Sequence, residues 1–266
     1  MKKIGILPCG GRGSRFKPFF YPKELFPFGY FTYNKDLKPK PIIMYAMYAM
    51  YAVESMVKAG VKKIFFVITP DKLEIMDFFR DGSDFGFDAA YFFQKDPGGS
   101  GIAFTIPAKF VNSNDLVFFQ MPDNINIPIN HFVKLLKQLT NHEVALGVFP
   151  SFNPNFFGRV EIFKNKGLAK SNQKPPATNT AVCSGIIKGS VFKELFLLAR
   201  SNFDQIINKN DPQQELRLLV LLSYYEQMAK NKFYYHYFKS GQCLDIGDPK
   251  NLKKIICSLK KHQLIQ

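Results

Sequence analysis

The sequence predicts an α/β fold in which helices cover both faces of a mostly parallel, mixed central sheet, a Rossmann-like three-layer α/β/α arrangement. Three observations carry this reading. Apolar runs of strand length alternate with helix-period segments through the first 150 of the 266 residues. A loop rich in glycine follows the first strand directly, as in β-to-α connections that meet a ligand. The segment 41–60 opens on a proline and stops on a glycine, the asymmetry expected of a helix.

Residues 2–7 form the first short apolar run. The predicted helix from Pro41 to Gly60, about five turns, carries Ile43, Met47, Met50, Val53, Met56 and Val57 on one face. KIFFVI at 63–68 reads as a buried strand, 73–79 as an amphipathic helix, 89–93 as a strand and 102–110 as a helix. A strand at 116–120, a helix at 129–139 and a strand at 144–149 continue the alternation. Such βαβ repetition implies parallel strands with crossover helices.

The second half is less regular. Strands are expected at 160–163, 183–187 and 233–238, and helices at 191–199, 214–228 and 249–259. The polar stretch 164–180, with Pro175-Pro176, reads as a loop. No repeat or low-complexity tract divides the chain. One domain over 1–266 is expected, in two halves at 1–150 and 151–266.

The net charge of +15 makes the chain strongly basic, which suits phosphate-bearing partners without choosing among them. Its basic residues are spread out apart from pairs such as Lys253-Lys254 and Lys260-Lys261, and no DNA or RNA motif occurs. A nucleic-acid partner is therefore not expected. The longest uncharged apolar stretch, 42–53, is too short for the roughly 20 residues of a membrane span. No export signal is evident, so the expected location is the cytoplasm. Cys9, Cys183, Cys243 and Cys257 are scattered, as are His131, His142, His236 and His262. Disulfide scaffolds and histidine-based metal sites are accordingly not expected.

Residues 7–27 read LPCGGRGSRFKPFFYPKELFP. Gly10, Gly11 and Gly13 let the backbone bend tightly and bring N–H groups to a ligand without Cβ interference. Arg15 and Lys23 add positive charge, so the loop suits an anion, most readily a polyphosphate. The loop is neither a Walker A sequence, which needs Lys-Ser/Thr after the glycines, nor a dinucleotide fingerprint, because Phe16 stands where the third glycine belongs.

It does resemble the Gly-Gly-x-Gly-Ser/Thr-Arg…Pro-Lys signature of the sugar-1-phosphate nucleotidylyltransferases, the sugar-nucleotide pyrophosphorylases. Six further resemblances follow in chain order. Asp81-Gly82-Ser83 with Gly86 resembles a turn of the thymidylyltransferase branch, and Gln94 with Pro97, Gly99 and Ala103-Phe104 a base-binding loop. Met121-Pro122-Asp123-Asn124 resembles the strand-end metal aspartate, and Phe157-Gly158-Arg159-Val160 an element beside the sugar. Gln173-Lys174-Pro175 falls where many members have Glu-Lys-Pro, and residues 244–249 (LDIGDP) resemble a late Asp-x-Gly-Thr-Pro element.

The resemblance implies the family's fold and transfer of a nucleotidyl group from a nucleoside triphosphate to a sugar 1-phosphate, releasing pyrophosphate. The sugar is expected to be a hexose such as glucose 1-phosphate, and the cofactor Mg2+. Arg15, Lys23, Asp123 and Asp245 are the implied catalytic residues, with Asp123 and Asp245 as metal ligands. Cys9, Gly10, Gly11, Gly13, Ser14, Glu24, Gln94 and Gly99 would hold the nucleotide. Asn124, Gly158, Gln173, Lys174 and Gly185 would hold the sugar phosphate. Family members often form dimers or tetramers, so a homo-oligomer is compatible with the resemblance.

Three departures bear on specificity. Gln173 replaces the commoner Glu, the spacing from Pro18 to Pro22 is short, and Ile102 stands where thymidylyltransferases commonly carry Gln. Glu24 and Gln94 suit UTP as well as dTTP, and the two remain tied. A glycosyltransferase would want an Asp-x-Asp pair after the central strand, where this chain has a single aspartate. A binding-only relative would be expected to lack Arg15, Lys23 or an aspartate, and all are present.

Overall fold

The computed structural model describes residues 1–11, 22–25, 27–33, 35–41, 52–95, 98–151, 159–163, 166–170, 180–206, 215–229, 232–245 and 252–261. The strands are β1 (Lys3–Pro8), β2 (Pro27–Tyr33), β3 (Asp36–Pro41), β4 (Lys63–Ile68), β5 (Asp88–Phe93), β6 (Leu116–Gln120) and β7 (Asn124–Ile127). They continue with β8 (Val144–Pro150), β9 (Arg159–Phe163), β10 (Lys166–Lys170), β11 (Thr180–Lys188), β12 (Phe233–Tyr237) and β13 (Gln242–Asp245). The helices are α1 (Ala52–Lys58), α2 (Leu73–Phe79), α3 (Ser100–Thr105), α4 (His131–Leu136), α5 (Gly189–Ser201), α6 (Phe203–Ile206), α7 (Leu218–Met228) and α8 (Leu252–Lys261).

Seven strands form the main sheet in the order β12-β8-β11-β6-β1-β4-β5, and the β9–β10 hairpin joins it at β11. Strands β6, β1, β4 and β5 are mutually parallel, and β8 is parallel to β12. Only β11 runs against its neighbours β6 and β8. This is the mostly parallel, mixed sheet the sequence predicts.

The alternating side chains of the strands feed two separate cores. Leu7, Ile64, Phe66, Ile68 and Phe118 point to the face covered by Val53 and Met56 of α1, Ile75 and Phe79 of α2, and Phe132 and Leu135 of α4. Ile4, Ile6, Phe65, Val67 and Phe119 point the other way, under Phe104 of α3, Phe192 and Leu195 of α5, and Leu221 and Leu222 of α7. Strands that are apolar on both faces form such a sheet because helices remove water from each side.

Several expectations change. Pro41 does not open a helix; it is the last residue of β3, whose hairpin with β2 was not anticipated. Prolines at 39 and 41 fit a two-stranded ribbon, which has edges that need no proline N–H. The helix seen before Gly60 is α1, and residues 42–51 of the expected helix lie outside the described residues. Lys166–Lys170 is a strand inside the stretch read as loop, because pairing with β9 overrides its polar composition. The expected helix at 102–110 is a short α3 followed by 3-10 turns through Phe110, with Pro107 breaking the α-helical ladder. No helix among the described residues is long and apolar enough to cross a membrane.

Candidate functional site

From β1 the chain moves outward to β4 and then β5, before returning to β6 on the opposite side of β1. The carboxyl ends of β1 and β6 therefore flank the point where strand order reverses. In open α/β sheets the crevice outside the carboxyl ends of the strands at such a reversal is the general ligand position. Cys9, Gly10 and Gly11 leave the end of β1, and the Met121–Asn124 turn leaves the end of β6.

The glycine side of this crevice is built from three elements. Cys9 N–H donates to the Val67 carbonyl at 2.7 Å, and Gln94 N–H to the Ile68 carbonyl at 2.8 Å, so the exits of β1, β4 and β5 are tied together. A Cβ on Gly10 would lie 2.5 Å from Gln94 Oε1, so the glycine permits that approach. The Gln94 side chain is buried, and its Nε2 has no protein partner. Glu24, in the single 3-10 turn Lys23–Leu25, is only 1% exposed. Its Oε1 accepts a 2.8 Å hydrogen bond from Lys72 Nζ, while Oε2 has no protein partner. Lys72 Nζ also donates to the Cys9 carbonyl at 2.7 Å. Nothing in the sequence marks Lys72: one of 36 basic residues in a turn after a strand reads as a solvated charge.

The acidic side is set by backbone register. Asn124 N–H donates to the Met121 carbonyl at 3.1 Å, closing a tight turn that carries Asp123 out of β6 and into β7. β7 pairs antiparallel with β13, and Asp245 stands directly opposite Asn124. Asp123 and Asp245, 122 positions apart by their numbering, thus come to the same end of one ribbon. Their proximity is registered by Cys243: burial pushes its thiol well above the usual range, Cys183 beside it adds to the shift, and Asp245 and Asp123 both add to it electrostatically. The carboxylates of Asp123, in the turn, and Asp245, at the end of β13, are of the kind that could hold Mg2+, which takes one or two carboxylates from a protein with substrate phosphates completing the shell. Asn124 is buried next to the pair, and its Nδ2 has no protein partner.

Gly185 lies within β11, opposite Phe119 near the carboxyl end of β6, where a Cβ would meet the Phe119 ring at 2.6 Å and Leu146 at 2.7 Å. On that side the glycine lets a large aromatic pack against the sheet. Gly99, at φ +93°, is pressed against the Leu216 carbonyl, 2.5 Å from where its Cβ would be. Its glycine character is thus explained by a chain crossing in the fold. The Asp81-Gly82-Ser83 turn precedes β5 and so lies at the opposite end of the sheet from the crevice; Asp81 Oδ1 accepts from Ser83 N–H at 3.0 Å and Ser83 Oγ at 2.7 Å. Gly13, Ser14, Arg15, Gly158, Gln173 and Lys174 lie outside the described residues, and Lys23 is described by its backbone alone. Cys183 and Cys243, remote in sequence, are neighbours in space as free thiols.

Comparison with known proteins agrees with this fold. The low-salt glycan biosynthesis nucleotidyltransferase Agl11 of Haloferax volcanii is 29% identical over 185 residues, 67% of this chain and 47% of that protein. Glucose-1-phosphate thymidylyltransferase of Mycolicibacterium smegmatis is 30% identical over 177 residues, 65% of this chain and 56% of that protein. The chain spans about half the length of these curated relatives. The crystal structure of a UDP-glucose pyrophosphorylase complexed with UDP-glucose shares the fold, with a TM-score of 0.71 at 19% identity, covering 98% of this chain and 100% of that one. The nucleotidyl transferase family profile matches residues 4–262, nearly the whole sequence, and the chain belongs to that family.

Proposed function

We propose that the protein transfers a nucleotidyl group from a nucleoside triphosphate to a sugar 1-phosphate, giving a nucleoside-diphosphate sugar and pyrophosphate. The observation that supports this reading is that β1, which leads into Gly10 and Gly11, and β6, which leads into Asp123, are neighbours at the switch point, with Asp245 opposite Asn124. An oxygen of the sugar phosphate attacks the α-phosphorus in line, and the bond to pyrophosphate breaks as the new P–O bond forms. No covalent enzyme intermediate is needed, so catalysis consists of positioning and charge neutralisation.

The N–H groups of Gly10, Gly11 and Gly13 hold the triphosphate, with Cys9 and Ser14 at the loop's flanks. Arg15 neutralises the departing pyrophosphate, and Lys23 bridges the attacking and α-phosphates. Lys174, Gln173, Asn124 and Gly158 take the sugar phosphate. Asp123 and Asp245 would hold Mg2+, which supplies charge neutralisation between the two anionic substrates when bound.

UTP and dTTP are the favoured donors. Glu24 Oε2 and Gln94 Nε2 are both buried and lack protein partners, one an acceptor and the other a donor. That pair complements an imide edge, which offers one N–H and flanking carbonyl oxygens. Hexose 1-phosphates, glucose 1-phosphate first, are the favoured acceptors. The test is a panel of sugar 1-phosphates against all common nucleoside triphosphates with Mg2+, read by pyrophosphate release. Release is expected with UTP or dTTP. A panel silent throughout would overturn the activity, and turnover confined to ATP or GTP would overturn the base assignment.

A further inference from the structure

The ion pair between Lys72 and Glu24 is the most deeply buried one among the described residues, with side chains 6% and 1% exposed. A buried lysine is costly unless its charge and its donors are matched. Here two donors are matched within 2.8 Å, by oxygens from two other elements, the end of β1 and the Lys23–Leu25 turn. Lys72 itself stands between β4 and α2, held by a 3.0 Å hydrogen bond from its N–H to the Thr69 carbonyl. The side chain joins three separate pieces of chain at one end of the sheet.

The pair is also incomplete. Glu24 uses one oxygen on Lys72, and its other oxygen is buried without a protein partner. Gln94 Nε2 is in the same condition, and Gln94 touches the Gly10 position next to Cys9. An ion pair of this kind holds a carboxylate in place, and a carboxylate accepts hydrogen bonds but cannot donate them. A ring N–H presented to Glu24 is satisfied, whereas a ring nitrogen lone pair in the same place meets another lone pair.

We propose that Lys72 is a positioning and specificity-determining residue: its buried ammonium holds the Glu24 carboxylate as an acceptor beside the glycine cradle, so that bases with a ring N–H are selected over bases with a bare ring nitrogen. The inference rests on the assignment of Glu24 to the base pocket. Lys72 acts through Glu24 and the Cys9 carbonyl. Because Glu24 adjoins Lys23, the same tie sets the turn on which Lys23 is carried.

Equilibrium binding of UTP and CTP to the full chain, without sugar phosphate, tests this. It is measured for wild type, Lys72→Met, Glu24→Gln and the double variant, with melting curves as the folding control. Wild type is expected to favour UTP over CTP by roughly tenfold or more, the worth of one buried hydrogen bond against a lone-pair clash. Lys72→Met should bring the ratio close to one, Glu24→Gln should do the same, and the double variant should match Glu24→Gln. A folded Lys72→Met variant with the wild-type ratio overturns the proposal. Should Lys72→Met fail to fold, the comparison of Glu24→Gln with the double variant decides. An unchanged ratio supports action through Glu24, and a several-fold further change overturns it. A wild type with no preference, or one binding neither triphosphate, also overturns it. Binding is read without turnover, so absence of pyrophosphate release would count against the transferase reading while leaving this test intact.

Discussion

The two sides of the crevice are held by different physics. The glycine side depends on side chains: a buried ammonium, a carboxylate and a carboxamide join the exits of β1, β4 and β5. The acidic side depends on backbone: a tight turn and an antiparallel register bring Asp123 and Asp245 to one ribbon end. Backbone register tolerates substitution of the side chains it carries, whereas a buried charge network does not, since losing one partner leaves the other unmatched. Mutations on the acidic side should therefore separate chemistry from folding, and those on the glycine side should mix the two.

The largest effect is expected for Asp245→Asn. Turnover should fall by roughly 10²–10³-fold, comparable to removing one preorganised charge-stabilising group. The melting temperature should change little, because the β7–β13 pairing uses backbone. Pyrophosphate release and circular dichroism measure the two parts, and a large fall in melting temperature would break the contrast.

Gly99→Ala comes next. Its φ of +93° and the Leu216 carbonyl at 2.5 Å from the added carbon are both unfavourable, and the obstacle is backbone rather than a mobile side-chain end. Urea titration should show a loss of about 1–3 kcal/mol.

Acid sharpens the comparison from the other direction. His131 heads α4, its ring lies against Phe132, Phe149 and Phe238, and burial holds its pKa down to about 3 despite the hydrogen bond to the Pro128 carbonyl. The folded state keeps the imidazole neutral, so its contribution is complete above the unfolded pKa of about 6.5. As the pH falls from there toward 3, the unfolded chain takes up a proton that the native chain refuses. Stability should drop at about 1.4 kcal/mol per pH unit. His131→Phe should flatten that slope, and hydrogen exchange at pH 5 should show α4 losing protection before β4.

The smallest effect is expected for Gly10→Ala. The new carbon would displace the end of Gln94, a side chain that can move, so nucleotide affinity should weaken by roughly three- to tenfold. The melting temperature should fall with it, by about 1–3 °C, since Gln94 belongs to the buried group that joins the strand exits. A substitution that unfolds the chain would show that the glycine side is held more rigidly than its side-chain contacts imply.

Much of this was legible beforehand, for identifiable reasons. β4, β6 and α2 appear with their expected limits because strong apolar runs and helix-period spacing leave no competing structure. Asp123 is a candidate because it comes shortly after a buried strand, where sheets place ligands. The hairpin ending at Pro41 and the strand at Lys166–Lys170 were hidden, since ribbon pairing is decided by partners and not by local pattern. The packing at Gly185 was hidden too, because a glycine that makes room for Phe119 looks, in a sequence, like any other glycine in a strand.

The sequence by itself determined the layered α/β architecture, the glycine loop at the end of the first strand and the basic character of the chain. Periodicity and composition are local properties, and they survive being read one residue after another. Tertiary structure alone decided that Lys72 is buried on Cys9 and Glu24, that Cys183 meets Cys243, and that Asp245 stands opposite Asn124. Each of those pairings joins positions 48 or more apart by their numbering. Such contacts form only once the sheet brings its strand ends together, and nothing in the neighbouring residues announces them.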